Sequence, residues 1–253
     1  MDLGILECDH VPQEFTHIAG DYRDMVTAML TRDEAPFKLK YFDVCEGQIP
    51  SVNDCDAFLC LGSRYSVYDN NEWIRNLKQF VRRVHRAERP FVGICFGHQL
   101  LAEALGGSTA RASKGWGVGV HMMDLIRYEE WMLPKQGRTA LKFMHQDQIE
   151  RLPPNGVLLG QTKHCPIAMF RVGRSMLGLQ AHPELTSAYC YALLSDRVQR
   201  IGEAKVREAK NSLNQPTDEI LLVKWITRFL LAEAQTSVSN SCSTLNRYVP
   251  RGH

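Results

Sequence analysis

The segment Pro90-Phe-Val-Gly-Ile-Cys95-Phe-Gly-His-Gln-Leu-Leu-Ala-Glu-Ala-Leu-Gly-Gly107 sets the architecture of the whole chain. Phe91 to Ile94 is a short apolar run, long enough for a buried strand and too short for a helix. His98 to Leu105 reads as a helix, and Gly106-Gly107 is a common way to end one. Between strand and helix lies Gly93-x-Cys95-x-Gly97, the form of a sharp strand-to-helix turn that holds a nucleophile at its apex. A side chain at either glycine would crowd such a turn. Cys95 is therefore expected at the carboxyl end of a central strand, where open α/β sheets place their ligands. It also stands at a helix N-terminus, whose partial positive charge favours thiolate over thiol. The Phe96 N–H there is free to donate to a developing oxyanion.

Outward from this turn the chain alternates strand-like and helix-like segments. Leu3–Leu6 reads as a first buried strand, Asp21 to Leu30 as a helix, Phe37 to Val44 as a strand, and Ala57 to Leu61 as an apolar run ending at Gly62-Ser63. Asn71 to Arg86 carries Ile74, Leu77, Val81 and Val84 at helical spacing, with charged residues on the other face. This alternation predicts an α/β fold: an open, mostly parallel, flavodoxin-like sheet with helices on both faces. Ser108 to Arg138 is less regular. Val157–Gln161, Ile167–Val172 and Met176–Gln180 read as short strands of a small antiparallel hairpin region. Tyr189 to Leu213 turns helical, Pro216 interrupts, and Asp218 to Ala234 is a last amphipathic helix. Thr236 to His253 is Ser/Asn-rich and is expected to be a disordered tail. With no internal repeat and no low-complexity linker, 1–235 is read as one domain and 236–253 as its tail.

Composition narrows the function classes. In 253 residues, 30 Lys and Arg face 28 Asp and Glu, a formal net charge of +2. That balance argues against coating nucleic acid or anionic lipid. No stretch approaches the roughly 20 apolar residues of a membrane-spanning helix, and the start MDLGILECDH has neither the basic residues nor the long apolar run of a secretory signal. None of the eight cysteines forms a Cys-x-x-Cys pair, and none shows zinc-ligand spacing. The expectation is a cytoplasmic protein with reduced thiols, no metal and no cofactor.

A thiolate alone does not complete acyl transfer, because the leaving amine must be protonated. Gln180-Ala-His182-Pro-Glu184, 87 residues beyond Cys95 at its histidine, supplies the means. Two residues apart in an extended segment, His182 and Glu184 point the same way. Glu184 can then hold one imidazole nitrogen while the other faces Cys95. Each residue also has a bland reading: Cys95 as a small buried side chain, His182 as a core histidine satisfied by Glu184, and Gly62 as a turn glycine.

Gly-Ile-Cys95-Phe-Gly-His-Gln followed by Gln-Ala-His182-Pro-Glu184 resembles the class I, triad-type glutamine amidotransferases. Met144-His145-Gln-Asp147-Gln-Ile and Thr162-Lys-His-Cys165-Pro-Ile are similar to its GMP-synthase-like branch. The resemblance covers roughly residues 50 to 185. It implies a γ-glutamyl thioester at Cys95, with His182 and Glu184 completing a catalytic triad. It also implies a second oxyanion N–H from Gly62 beside that of Phe96, with Gln99, His145 and Asp147 at the substrate. Two departures stand out: Leu61-Gly62-Ser63 where the family often has Gly-Gly-Pro, and Ala181 where an aromatic residue is usual, which would widen the pocket. There is no Gly-x-x-x-x-Gly-Lys-[Ser/Thr] phosphate loop, so GMP synthesis by this chain alone is not expected. Three readings follow. One is a glutamine amidotransferase that passes ammonia to a separate synthetase partner. Another is a stand-alone γ-glutamyl peptidase acting on γ-glutamyl peptides or glutathione conjugates. The third is a non-catalytic binding protein on the same fold.

Overall fold

A computed structural model describes the backbone of residues 1–31 and 36–245 and, within these, side chains up to residue 234. In chain order the elements are β1 (Asp2–Glu7), α1 (Thr16–Ala19), α2 (Tyr22–Thr31), β2 (Lys38–Asp43), β3 (Ala57–Cys60), α3 (Glu72–Arg86), β4 (Phe91–Ile94), α4 (Phe96–Ala104), β5 (Ser108–Arg111), β6 (Gly117–Leu125), β7 (Arg138–His145), β8 (Asp147–Arg151), β9 (Gly156–Gln161), β10 (Met169–Val172), β11 (Met176–Leu179), α5 (Ser187–Asp196), α6 (Val198–Ile201), α7 (Glu203–Ser212) and α8 (Glu219–Leu245).

One sheet carries nine of the strands in the order β2-β1-β3-β4-β11-β10-β9-β6-β7. From β2 to β11 neighbours run parallel. The first five positions thus have the doubly wound order of flavodoxin-like folds, whose ligands sit outside the carboxyl ends of the strands. From β11 onward the pairs are antiparallel, and β5 and β8 form a separate antiparallel pair.

The period of two along each strand divides the core. Leu3 and Ile5, Ala57 and Leu59, and Val92 and Ile94 face α2 and α8, packing on Val26, Met29, Leu222, Trp225 and Phe229. Leu6, Phe58, Cys60 and Phe91 point the other way, onto Ile74, Leu77, Phe80, Val81 and Val84 of α3 and Leu100 and Leu101 of α4. Burial of several large side chains on each face fixes the register, since a one-residue slip would turn every apolar group to the wrong side.

Three sequence readings change. The irregular stretch after Ser108 contains the long strand β6, which forms an antiparallel hairpin with β7 just beyond it, paired from Gly117↔His145 to Asp124↔Arg138. Gly117, Gly119 and His121 give β6 little intrinsic strand preference, so pairing with β7 imposes the conformation. The helical stretch through Leu213 is three helices, broken at Arg197 and at Gly202, which adopts φ 97°. The last helix runs past residue 235 to Leu245, and residues 246–253 of the expected tail lie outside the described residues. No helix among the described residues is long and apolar enough to cross a membrane.

Candidate active site

Cys95 sits between β4 and α4 in a conformation forced on it, φ 51° and ψ −99°. Such a backbone costs on the order of 1–3 kcal/mol for a residue with a side chain and persists only where its surroundings impose it. The surroundings are clear. A Cβ on Gly93 would lie 2.3 Å from the Gly97 carbonyl oxygen, and one on Gly97 would lie 2.4 Å from that of Cys60. Glycine at both places lets β3, β4 and α4 close on one another. The Cys95 N–H donates to the Leu179 carbonyl at 2.8 Å and the Gly97 N–H to that of Leu61 at 3.2 Å, pinning the turn to both flanking strands.

Those flanks supply the other groups. β3 lies on one side of β4 and ends just before Gly62. β11 lies on the other and continues into Gln180, Ala181 and His182. Three neighbouring carboxyl ends thus deliver Gly62, Cys95 and His182 to one place. A Cβ on Gly62 would lie 3.1 Å from His182 Cε1 and 3.7 Å from Cys95 Cβ. The N–H groups of Gly62 and Phe96 have no hydrogen-bond partner among the described residues. The Phe96 N–H is additionally the first of α4, where the helix leaves donors unsatisfied.

His182 and Glu184 are almost fully buried. The imidazole Nδ1–H donates to Glu184 Oε1 at 2.7 Å, which fixes the ring, and the His182 N–H donates to the Lys142 carbonyl at 2.9 Å. Nε2 is buried with no well-formed hydrogen bond, as is Glu184 Oε2. A buried polar atom left open in this way calls for a reason, and Cys95 provides it for Nε2. Burial pulls the imidazole pKa down, but the neighbouring Cys95 and then Glu184, which also accepts the Nδ1–H, push it up to about 10. The raised pKa favours the imidazolium, the form able to give a proton.

Cys95 also opens onto a shallow cleft of about 600 Å³, counting the open space at its mouth. Phe96, Gln99, His145 and Asp147 line it, so the structure brings these predicted residues to one cavity. It also shows what already occupies their polar atoms. Gln99 Nε2 donates to the Asp147 carbonyl at 2.8 Å and to Gln180 Oε1 at 3.0 Å. The Asp147 carboxylate accepts from Ser66 Oγ at 2.5 Å and Tyr68 Oη at 3.0 Å, tying down the loop after Gly62. His145 Nδ1 donates to the Asp147 carbonyl at 2.9 Å; burial holds its pKa down to about 3, so Nε2 carries a lone pair. Ala181 is buried in the core and lines no part of the cleft, so it does not widen the pocket as its sequence position suggested. His10, Asp43 and Cys45 bring ligand-type atoms within 4.8 Å of one another. Both nitrogens of His10 are already bonded to carboxylates, Asp21 at 2.8 Å and Asp43 at 3.0 Å, which leaves it no lone pair for a metal.

The cleft has lining that the sequence did not single out: Arg64, Trp116, Arg197 and Arg200, together with Arg111. They come from four separate segments, and no local pattern announces that they meet.

With this geometry in view, the model of the glutamine amidotransferase class-I family matches residues 25–195. The chain belongs to the class-I glutamine amidotransferase family. Among family members, γ-glutamyl peptidase 3 of Arabidopsis thaliana is 30% identical over 206 residues, covering 75% of this chain and 81% of its own. A glutamine amidotransferase-like protein of Schizosaccharomyces pombe is 28% identical over 249 residues, covering 90% and 98%. The crystal structure of a glutamine amidotransferase from Thermotoga maritima superimposes with a TM-score of 0.71 at 19% identity, over 92% of this chain and 97% of that one. At that identity the superposition speaks for the class-I fold alone.

Proposed function

We propose that this protein is a cysteine-dependent hydrolase of γ-glutamyl amide bonds. The observation that carries the proposal is the strained Cys95 turn meeting the buried His182–Glu184 pair at the carboxyl ends of β4 and β11. In the proposed reaction the Cys95 thiolate attacks the γ-carbonyl carbon, and the Gly62 and Phe96 N–H groups receive the oxyanion. His182 Nε2–H gives its proton to the departing nitrogen as the C–N bond breaks, leaving a γ-glutamyl thioester. A water then loses a proton to His182 and attacks the thioester; glutamate leaves and the Cys95 thiolate returns. Glu184 holds the ring and stabilises its charge throughout. Gln99, His145 and Asp147 shape the cleft floor, Asp147 as a positioning residue acting through Ser66 and Tyr68. The many free thiols, unpaired among the described residues, fit a reducing, cytoplasmic setting.

Two leaving groups are compatible with this chemistry. Ammonia from glutamine would make the protein an amidotransferase that supplies a separate synthetase. The amine of an amino acid or peptide would make it a stand-alone γ-glutamyl peptidase, an activity named for its Arabidopsis relative. Comparing kcat/KM for glutamine with that for γ-glutamyl dipeptides separates them. A strong peptide preference defeats the amidotransferase reading, and glutaminase activity that rises with an added partner defeats the peptidase. Full activity of Cys95→Ala on both substrates would sink the mechanism itself.

A further inference from the structure

Resting on that hydrolase reading, we infer that Arg111, Arg197 and Arg200, which line the cleft with Trp116, form a carboxylate-recognising rim that selects γ-glutamyl peptides whose leaving amine bears a free carboxylate. Four arginines line the cleft. Arg64 is engaged: its Nε donates to both Asp9 oxygens at 2.8 and 2.9 Å and its Nη2 to the His10 carbonyl at 2.7 Å. The other three make no ion pair among the described residues. Asp147, the one acidic residue of the lining, is capped by Ser66 and Tyr68. The cleft mouth therefore carries cationic groups that no carboxylate among the described residues pairs with.

Their arrangement is specific. The Arg197 and Arg200 guanidinium carbons lie 6.0 and 5.5 Å from the centre of the Trp116 ring, which is itself buried. The aromatic face attracts each cation, yet it also holds two like charges at one indole ring. An anion placed between them removes that repulsion, and the planar guanidinium fork matches a carboxylate. The break between α5 and α7 produces the arrangement: Arg197 caps α5, Arg200 lies on α6, and the turn at Gly202 follows. The thiol is buried and Arg111 and Arg200 are exposed, so a substrate with its γ-carbonyl at Cys95 leaves its trailing amine component at the rim. Ammonia offers the rim nothing to bind, whereas the carboxylate of an amino acid or peptide does.

The test compares γ-glutamylglycine with its C-terminal amide, with glutamine as a third substrate, on the full chain. The acid is expected to exceed the amide in kcat/KM by about tenfold to a hundredfold, chiefly through KM, and the ratio is expected to shrink with added salt. R197A/R200A should bring the ratio close to one; R197K/R200K, which keeps charge but loses the fork, should restore part of it. Arg138→Ala, in a surface ion pair with Asp124, is the control and should leave the ratio as it is. Equal kcat/KM for acid and amide in the wild type overturns the rim, as does a double variant that loses both substrates equally, which assigns these arginines to the glutamyl half or to folding. Calorimetric binding of the acid and the amide to Cys95→Ala separates the two levels of argument. Selective binding of the acid without turnover of any substrate overturns the hydrolase reading and keeps the rim. Binding without selectivity, or none, overturns the rim whatever the activity.

Discussion

The floor and the rim of the cleft are built in opposite ways. The floor is made of short, buried groups at the ends of three adjacent parallel strands, packed so closely that a Cβ added at Gly93 or Gly97 would fall below van der Waals distance of backbone. The rim is made of long arginines from the end of β5, the cap of α5 and the short helix α6, which make no ion pair among the described residues. A buried floor permits one geometry, which suits bond-breaking chemistry that fails if atoms shift by an ångström. A solvated rim permits adjustment, which suits recognition of one part of a substrate. Changes in the floor should therefore act on kcat, and changes at the rim on KM.

The largest effect is expected from Cys95→Ala, a loss of roughly four orders of magnitude or more in hydrolysis. Mass spectrometry should detect no γ-glutamyl adduct on the variant; an adduct on another residue would end the floor–rim contrast at once. His182→Ala should cost about a thousandfold in kcat and Glu184→Gln about a hundredfold, with KM little changed in steady-state assays. Gly93→Ala tests the packing side of the contrast. Its Cβ would press on backbone, so melting should show a destabilisation of about 1–3 kcal/mol or more. An unshifted melting curve would mean that the turn relaxes freely. At the small end, Arg200→Ala alone should raise KM for an acidic γ-glutamyl peptide by a few-fold, in line with a half-solvated charge contact, with kcat unmoved.

Dependence on pH gives a further distinction. The His182 pKa lies near 10 in the folded chain against an ordinary 6.5. Its contribution to stability is complete below about 6.5 and is lost as pH rises through about 10. Activity that needs the imidazolium proton should show an alkaline limb in the same region. In Glu184→Gln one raising charge is gone, so the limb should move to lower pH. A limb that stays in place would mean that Glu184 contributes geometry and not charge.

How far the sequence could be read follows from how local each cause is. The Gly93-x-Cys95-x-Gly97 turn, the strand before it and the helix after it depend on neighbours in the chain, and they are legible there. The amphipathic helix α3 is legible for the same reason. Strand β6 was not, since Gly117 and His121 become extended, with Gly119 held at φ 87° between them, only when the backbone of β7 pairs along eight residues. Gln99 and Asp147 were legible as residues of the cleft, but not their engagement by Gln180, Ser66 and Tyr68, because hydrogen-bond partners are chosen in space.

By itself, the sequence determined a cysteine at a sharp strand-to-helix turn, a histidine two residues from a glutamate in an extended segment, an α/β alternation and membership of a family. Those features arise from steric limits and periodicities that act over a few residues. Only the tertiary structure decided that β3 and β11 are the neighbours of β4, so that Gly62 and His182 flank the thiol, and that Arg197 and Arg200 close on Trp116 from about eighty residues away, at a cleft Arg111 also lines. Strand order and the meeting of side chains depend on which apolar faces bury together, and that is a property of the whole chain.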